Sequence, residues 1–266
     1  ARLESAKGLS LDERANVREI SRSYHRKKNV PSKLVEERAK INSLGPGIWK
    51  KARDKNDFGH FAPTLKQIVA LTREYAHAID SDMPLYDVML GDYDDLTIDD
   101  VHKHFDAIKE RLVPLIARVN AKPKMHTYAL RRTIDVATQH TFNEKVAKMI
   151  GYDFDKGRLN ISTHPMTLCF GRITTRYSDD WFDAISATMH EAGHAMYEHG
   201  LPTEHFGTPL GYSRSMSVHE SQSRLWENHV GKSLKFWTFL LPHAQEAYES
   251  LDGVTLDVLY NAMNAA

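Results

Sequence analysis

The sequence predicts an all-α, predominantly helical protein with a small β-sheet beside one long helix. Apolar residues recur at helical spacing along most of the 266 residues, and helix-start signals precede several of these stripes. Only two short segments, residues 158–163 and 172–177, alternate and are rich in β-branched side chains, as strands are. Because both segments lie just before the long helix, we expect the sheet at its side.

Four helical stretches are predicted in the N-terminal half. The first begins at the capping box Ser10-Leu-Asp-Glu13, in which two side chains each bond the other residue's backbone amide. The second opens at Pro31, and Gly45-Pro46-Gly47 predicts a break or a kink within it. The third covers residues 62–80, and the fourth opens at Thr97. Two of the apolar stripes consist of Leu11, Val17, Ile20 and Tyr24, and of Val101, Phe105, Ile108, Leu112 and Leu115.

Composition argues against several classes of partner. Lys and Arg together number 35, as do Asp and Glu, so a formal net charge of zero gives no field for nucleic acid or anionic lipid. No apolar run is long enough to span a membrane, and residues 1–29 do not resemble a signal peptide. The single cysteine, Cys169, excludes an internal disulfide framework and fits a reducing, cytoplasmic compartment. We expect it to be a small buried hydrophobe.

The most informative motif is His190-Glu191-Ala192-Gly193-His194, within a helix predicted from about Asp180 to His199. Two histidines four residues apart project from one helical face, where they can bind an ion of zinc's size. The glutamate between them lies near the metal-bound water. A catalytic zinc usually takes a third protein ligand. Glu220 follows far enough along the chain for a turn and a second helix to bring it back to the metal.

The alternative is a pair of surface histidines on an ordinary helix, because 15 histidines among 266 residues could produce the motif by chance. The amphipathic context favours the metal. The apolar stripe of this helix consists of Trp181, Phe182, Ile185, Met189, Ala192 and Met196. Asp179-Asp180 supplies an N-cap, and Gly200-Leu201-Pro202 ends the helix. No spacing signal accompanies three other histidines, which we interpret as structural: His60, His77 and His126.

Several segments match the motifs of one known family. They are His190-Glu-Ala-Gly-His194-Ala-Met-Tyr197-Glu198, residues 204–211, His219-Glu-Ser-Gln-Ser-Arg-Leu-Trp226-Glu227-Asn228, Arg172-Ile-Thr-Thr-Arg176-Tyr177, His164-Pro165 and Gly151-Tyr-Asp-Phe154. Together they resemble the carboxypeptidase Taq family of gluzincin-type metallocarboxypeptidases. The resemblance implies that His190, His194 and Glu220 bind one metal ion per subunit, zinc or else cobalt, and that Glu191 is the general base. It also implies a helical fold with a long groove like that of neurolysin and angiotensin-converting enzyme, and a homodimer.

The sequence departs from the family's pattern in three places. The family has an aspartate two residues before its first arginine, where this chain has Phe170, and the span from His164 to Arg172 is a few residues short. Family members are also considerably longer. We therefore expect residues 1–266 to form a single metallopeptidase catalytic domain that lacks N-terminal and C-terminal parts of the family's fold. The missing C-terminal motifs include residues that help to hold the substrate's carboxylate.

Four residues are candidates for contact with the substrate. His164, Arg172 and Arg176 could bind a peptide carboxylate or backbone, because arginine grips carboxylates with two hydrogen bonds. Their structural alternative is a salt bridge within the small sheet. His219 could contact substrate, or it could serve only in packing, and we favour packing.

Four further residues are candidates for supporting the metal ligands. Glu198 lies four residues after His194, and Glu227 lies on the helix that carries Glu220, with Asn228 beside it. Arg224 lies four residues after Glu220 and could pair with its carboxylate. The alternative for the glutamates is ordinary surface charge.

These features predict an enzyme that hydrolyses the C-terminal peptide bond of peptides by means of a metal-activated water. Hydrolysis rests on the metal motif, and the C-terminal specificity rests on the resemblance. Two alternatives stay open: a zinc endopeptidase or aminopeptidase with the same metal site, and a non-catalytic metal-binding fragment.

Overall fold

The structure is a computed structural model that describes residues 6–91 and 96–265, apart from the Cys169 side chain. The expected burial of that side chain therefore lies outside the described residues. The chain forms two compact units, Ala1–Asp106 with Thr208–Leu210 and Ala107–Gly207 with Gly211–Ala266. The helical class is confirmed, since helices dominate the described ranges and their strands form one small sheet. The interpretation of residues 1–266 as a single catalytic domain stays a prediction.

The first unit is built on a pair of packed helices. Its helices are α1 (Leu11–Lys27), α2 (Ser32–Asp54), α3 (Phe58–Ile79) and α4 (Leu85–Leu90). Helices α2 and α3 pack around a small core of Leu34, Ile41, Leu71 and Tyr75. The capping box of Ser10 and Glu13 is confirmed. Helix α2 runs through Gly45-Pro46-Gly47 without interruption, so the predicted break does not occur. Packing against α3 outweighs the hydrogen bond that Pro46 cannot donate.

Helix α5 (Ile98–Asn120) follows Thr97 as predicted, and the Thr97 hydroxyl donates to the Asp100 carboxylate at 2.7 Å. Its apolar stripe is not covered by the part of the chain that the structure describes. None of its residues is buried, and Phe105, Ile108, Leu112 and Leu115 are all exposed. Leu11, Ile20 and Tyr24 of α1 are likewise exposed. A stripe indicates which face of a helix is apolar, but it does not indicate what covers that face.

The second unit contains a larger core with α7 at its centre. Its helices are α6 (Val136–Met149), α7 (Trp181–His199), α8 (Met216–Arg224), α9 (Leu234–Ala247) and α10 (Leu256–Met263). A π-helical turn, Leu225–Val230, continues α8. The Trp181 and Trp237 rings meet edge to face at a centroid distance of 5.8 Å, and both are fully buried. The Trp181 indole donates to the Ala129 carbonyl at 2.9 Å, which fixes the start of α7.

Three short strands form the sheet beside α7. They are β1 (Leu159–Ile161), β2 (Met166–Leu168) and β3 (Arg172–Thr175), in the order β1-β3-β2. Strand β3 pairs in parallel with β1 and antiparallel with β2, so that Ile173 lies opposite both Leu159 and Thr167. Both predicted strands are confirmed in shortened form, and β2 was not predicted. In the turn between β2 and β3, Phe170 adopts a left-handed backbone conformation with φ of 61°.

Within the described ranges, no helix combines the length and apolarity that crossing a bilayer requires.

Candidate metal centre

Helix α7 carries the metal motif on a face that packs against α8. Asp180 caps its N-terminus by accepting a hydrogen bond from the Asp183 amide, and Gly200 ends it, as predicted. The two helices approach closely at Gly193. A Cβ atom there would lie only 2.7 Å from the Gln222 carbonyl oxygen and 2.8 Å from the Ser223 Cα. Glycine is therefore required for α8 to bring Glu220 up to the histidines.

The three predicted ligands converge on one point. The candidate donor atoms of His190, His194 and Glu220 all lie within 4.8 Å of one another. The Glu220 Oε2 atom is 3.6 Å from His190 Nε2 and 3.3 Å from His194 Nε2. Donors bound to a tetrahedral zinc at about 2.0–2.2 Å are separated by about 3.3–3.6 Å. The two carboxylate-to-imidazole separations match this spacing, and the set of two imidazoles and one carboxylate therefore fits a zinc ion.

Glu191 follows His190 directly in α7 and is not one of the three clustered candidate ligands. Its side chain is nearly buried, with 6% of the residue exposed. The Thr167 hydroxyl lies 2.6 Å from Glu191 Oε2. Burial raises the pKa of the Glu191 carboxyl, and this effect outweighs the opposing influence of the Thr167 hydrogen bond and of nearby His190 and His164. A raised pKa brings a carboxylate closer to the range in which it can accept and return a proton.

A carboxylate and an arginine lie behind His190 and Glu220. The His190 Nδ1 atom is 2.8 Å from Glu227 Oε2, which leaves Nε2 for a metal. Arg224 donates to Glu220 at 2.8 Å and to Glu227 at 2.9 Å, so it bridges both carboxylates. Burial acts to raise the pKa of Glu220, but the Arg224 hydrogen bond, His190 and Ser223 together hold it below its usual value. Glu220 is therefore ionised and ready to bind a cation at neutral pH.

A second imidazole lies behind His194. The His194 Nδ1 atom is 2.7 Å from His219 Nδ1, and His219 Nε2 is 2.7 Å from Glu198 Oε1. If His194 binds metal through Nε2, its Nδ1 carries the proton, so His219 accepts at Nδ1 and donates from Nε2 to Glu198. Burial, and then the nearby His190 and His219, lower the pKa of His194, which favours the neutral form that a ligand needs.

A cavity of about 1050 Å³ opens beside the cluster within the second unit. Glu191, His194, Glu198 and His219 line its polar side. Its remaining wall includes exposed apolar side chains, namely Met166, Leu168, Phe170, Phe206, Tyr212 and Met216. A concave, mostly apolar site with a few convergent polar groups is typical of a substrate pocket.

The family profile described as carboxypeptidase Taq (M32) metallopeptidase matches residues 1–266. The chain belongs to this family. Curated M32-like relatives include thermostable carboxypeptidase 1 of Thermus thermophilus, which is 40% identical over 99% of this chain and 56% of its own length. Carboxypeptidase 1 of Bacillus subtilis is 31% identical over 96% of this chain and 53% of its own length. The chain thus spans about half the length of the curated relatives it matches.

Solved structures agree with this assignment. The structure named M32 carboxypeptidase from Deinococcus radiodurans R1 superposes with a TM-score of 0.86 at 34% identity, over 99% of this chain and 54% of that one. The structure titled BsuCP Crystal Structure gives a TM-score of 0.92 at 30% identity, over 97% of this chain and 54% of that one.

The predicted substrate residues have different environments in this M32 chain. Arg176 lies 3.4 Å from Asp183 of α7, so its ion pair is with that helix and not with a partner within the sheet. Arg172 is exposed at the start of β3, opposite Leu168, and His164 is exposed in the turn before β2. None of these three lines the cavity. His219 lies at the cavity, but both of its ring nitrogens face protein partners. The histidines interpreted as structural, His60, His77 and His126, are exposed and outside the metal cluster.

Sequence reasoning missed two residues at the M32 site. Thr167 contacts Glu191 from β2, a strand too short for its alternation to be recognised. Lys156, which lines the cavity and lies 3.8 Å from Asp153, belongs to a loop with no recognisable motif. The only sequence signal that could have indicated Thr167 as a site residue was its position shortly before the predicted strand at residues 172–177, which was expected beside the metal helix.

Proposed function

We propose that this chain carries the catalytic zinc centre of a carboxypeptidase that hydrolyses the C-terminal peptide bond of peptides. The observation that carries the proposal is the convergence of His190, His194 and Glu220 at separations that suit a tetrahedral ion, with Glu191 beside them. Family membership and the names of the relatives support it. Because the chain spans about half of those relatives, the activity of the whole protein is our inference.

The chemistry assigns a separate role to each residue. Zinc in such a site lowers the pKa of bound water and polarises the scissile carbonyl. His190, His194 and Glu220 would hold the ion. One carboxylate against a doubly charged ion leaves net positive charge to stabilise an oxyanion. Glu191 accepts a proton from the attacking water and returns it to the leaving amine, which its partly raised pKa favours.

The supporting residues orient the ligands. Glu227 fixes the tautomer of His190, and Arg224 holds Glu220 and Glu227 in place through two short hydrogen bonds. Glu198 acts on His194 through His219, which we therefore assign to the support of the metal rather than to substrate contact.

The substrate is proposed to be a peptide that lies in the cavity against its apolar wall. His164 stays a proposed peptide contact, because it is exposed in the turn that leads into β2, the strand that contributes to the cavity wall. Arg172 stays one because its exposed guanidinium is available to a carboxylate. For Arg176 we favour the salt bridge with Asp183.

We also propose zinc as the ion, with cobalt as the alternative, and a cytoplasmic homodimer. Two nitrogen donors and one oxygen donor suit zinc. The family resemblance supports the dimer, and the single cysteine supports a reducing compartment. Metal analysis of the purified full-length protein tests the identity of the ion. Analytical ultracentrifugation of the same protein tests the homodimer.

A matched set of peptides, free or blocked at each end, tests the direction of attack in the full-length protein. A carboxypeptidase must pair a cation with the substrate's terminal carboxylate, and amidation leaves that cation without its partner. We therefore expect amidation to lower the rate by orders of magnitude and N-terminal acetylation to have little effect. Equal cleavage of free and amidated peptides would indicate an endopeptidase, and loss on acetylation would indicate an aminopeptidase.

The variant Glu191→Gln tests the assignment of the base. It removes the proton acceptor but no metal ligand, so we expect zinc to be retained and hydrolysis to be abolished. Turnover comparable to the wild type at equal zinc content would show that Glu191 is not the base. Zinc binding without hydrolysis in the wild type would favour a non-catalytic metal protein.

A further inference from the structure

We propose that Thr167 is a positioning residue that holds the carboxylate of Glu191 in the orientation needed for proton transfer. The inference rests on the proposed function, because it takes Glu191 as the base. The contact that carries it is short: Thr167 Oγ1 lies 2.6 Å from Glu191 Oε2. The same hydroxyl lies 3.0 Å from the backbone carbonyl oxygen of Glu191.

The single hydroxyl proton of Thr167 goes to the carboxylate. A threonine hydroxyl has one proton to donate, and two acceptors of Glu191 are within reach. The backbone carbonyl lies inside α7, where the amide four residues later is its regular partner. The carboxylate oxygen is closer and charged, and hydrogen bonds to ionised acceptors are the stronger ones. Thr167 therefore ties Oε2 of Glu191 to the sheet.

Strand β2 presents Thr167 in a fixed direction. Side chains alternate along a strand, so the exposed Met166 and Leu168 point away while Thr167 faces α7. The strand is anchored by its antiparallel pairing with β3 and by the Met166 amide, which lies 3.0 Å from the Thr174 hydroxyl. The branched Cβ of threonine further restricts its side-chain rotation. The donor is thus held in place before any substrate arrives.

The hydrogen bond from Thr167 gives the two carboxylate oxygens of Glu191 different roles. Oε2 keeps the Thr167 hydrogen bond, so Oε1 is the oxygen at which the proton is accepted and from which it is returned. Because the proton moves at Oε1, Thr167 can remain a donor to Oε2 before and after transfer. Without the tie, the flexible glutamate side chain would sample orientations in which neither oxygen faces the attacking water, and proton transfer depends on that geometry.

The test compares Thr167→Val, which keeps the shape but removes the hydroxyl, with Thr167→Ser, which keeps the hydroxyl. We expect Thr167→Val to lower kcat by about 10- to 100-fold, with KM, zinc content and thermal midpoint close to the wild type. We expect Thr167→Ser to recover most of the activity. The matched control is Thr188→Val on α7, because the buried Thr188 hydroxyl has no hydrogen-bond partner within the described residues. This control should leave kcat unchanged.

Glu191→Gln, assayed alongside, separates failure of this inference from failure of the proposed function. If Thr167→Val is fully active while Glu191→Gln is inactive, the positioning role is refuted and the base assignment stands. If both variants are fully active, Glu191 is not the base and both proposals fail. If Thr167→Val loses zinc or stability and Thr167→Ser does not recover activity, Thr167 serves only the fold and the inference is overturned.

Discussion

The substitution Gly193→Ala separates the effect of helix propensity from that of packing, because the two predict changes of opposite sign in the free energy of unfolding. Alanine is favoured over glycine inside a helix by about 1 kcal/mol, so propensity alone predicts a more stable protein. The structure predicts the reverse. A Cβ at Gly193 would lie 2.7 Å from the Gln222 carbonyl oxygen, whereas ordinary van der Waals contact begins near 3.4 Å. The two nearest atoms, the Gln222 carbonyl oxygen and the Ser223 Cα, belong to the backbone and cannot rotate away. The two helices would therefore have to separate by about 0.7 Å at this point.

That separation would move Glu220 away from His190 and His194, because Glu220 lies on α8 only two residues before Gln222. We expect the free energy of unfolding to fall by about 2 kcal/mol, as overpacking outweighs the gain in propensity. We also expect zinc affinity to fall by at least about tenfold, because the third ligand is displaced from its two partners. Urea unfolding followed by circular dichroism measures the first change. Competition with a chelator of known affinity measures the second.

Gly200→Ala at the end of the same helix is the matched control. Its Cβ would lie 3.4 Å from the nearest atom, the Met196 carbonyl oxygen, which is ordinary contact. We expect this variant to change stability by less than about 0.5 kcal/mol and to leave zinc affinity unchanged. If Gly193→Ala behaves like Gly200→Ala in both assays, the close approach of α7 and α8 does not constrain the site, and the reasoning is wrong.

Two further predictions concern residues around the cavity. His219→Leu should lower zinc affinity by about 10- to 100-fold. His219→Asn keeps an acceptor for His194 Nδ1, so it should lower zinc affinity less. If His219→Leu binds zinc as tightly as the wild type, His219 does not support the metal. Phe170→Asn should raise the free energy of unfolding by about 1 kcal/mol, because asparagine tolerates the left-handed backbone at this exposed position (69% of Phe170 is exposed) better than phenylalanine does. A lower urea midpoint for that variant would contradict the argument.

The features that local chemistry determines were predictable from the sequence. The bounds of α7 agree with prediction because Asp180 accepts a hydrogen bond from the nearby Asp183 amide and Pro202 follows closely on the end of the helix. The capping box of α1 is correct for the same reason. The grouping of the candidate metal ligands followed from helical periodicity and a known ligand spacing, and in the structure these residues lie together.

The features that depend on packing between elements were not predictable. Helix α2 passes through Gly45-Pro46-Gly47 because α3 supports it, and the sequence signal for a break cannot contain that information. Strand β2 has three residues, which is too few for alternation to be distinguished from chance. The sequence left Glu227 either as surface charge or as support for the metal ligands, and only the course of the π-helical turn that carries it brings it to His190.

The candidate metal ligands belong to two helices that follow one another along the chain. Closing a loop of this modest length has a small entropic cost, and contacts between sequence neighbours form early in folding. A metal ion can therefore select and hold the α7–α8 pair while more distant parts of the polypeptide are still unstructured. If the proposed zinc binds there, it would have a second effect besides chemistry: it would hold the two helices together while they fold, so that zinc starvation would slow maturation as well as turnover.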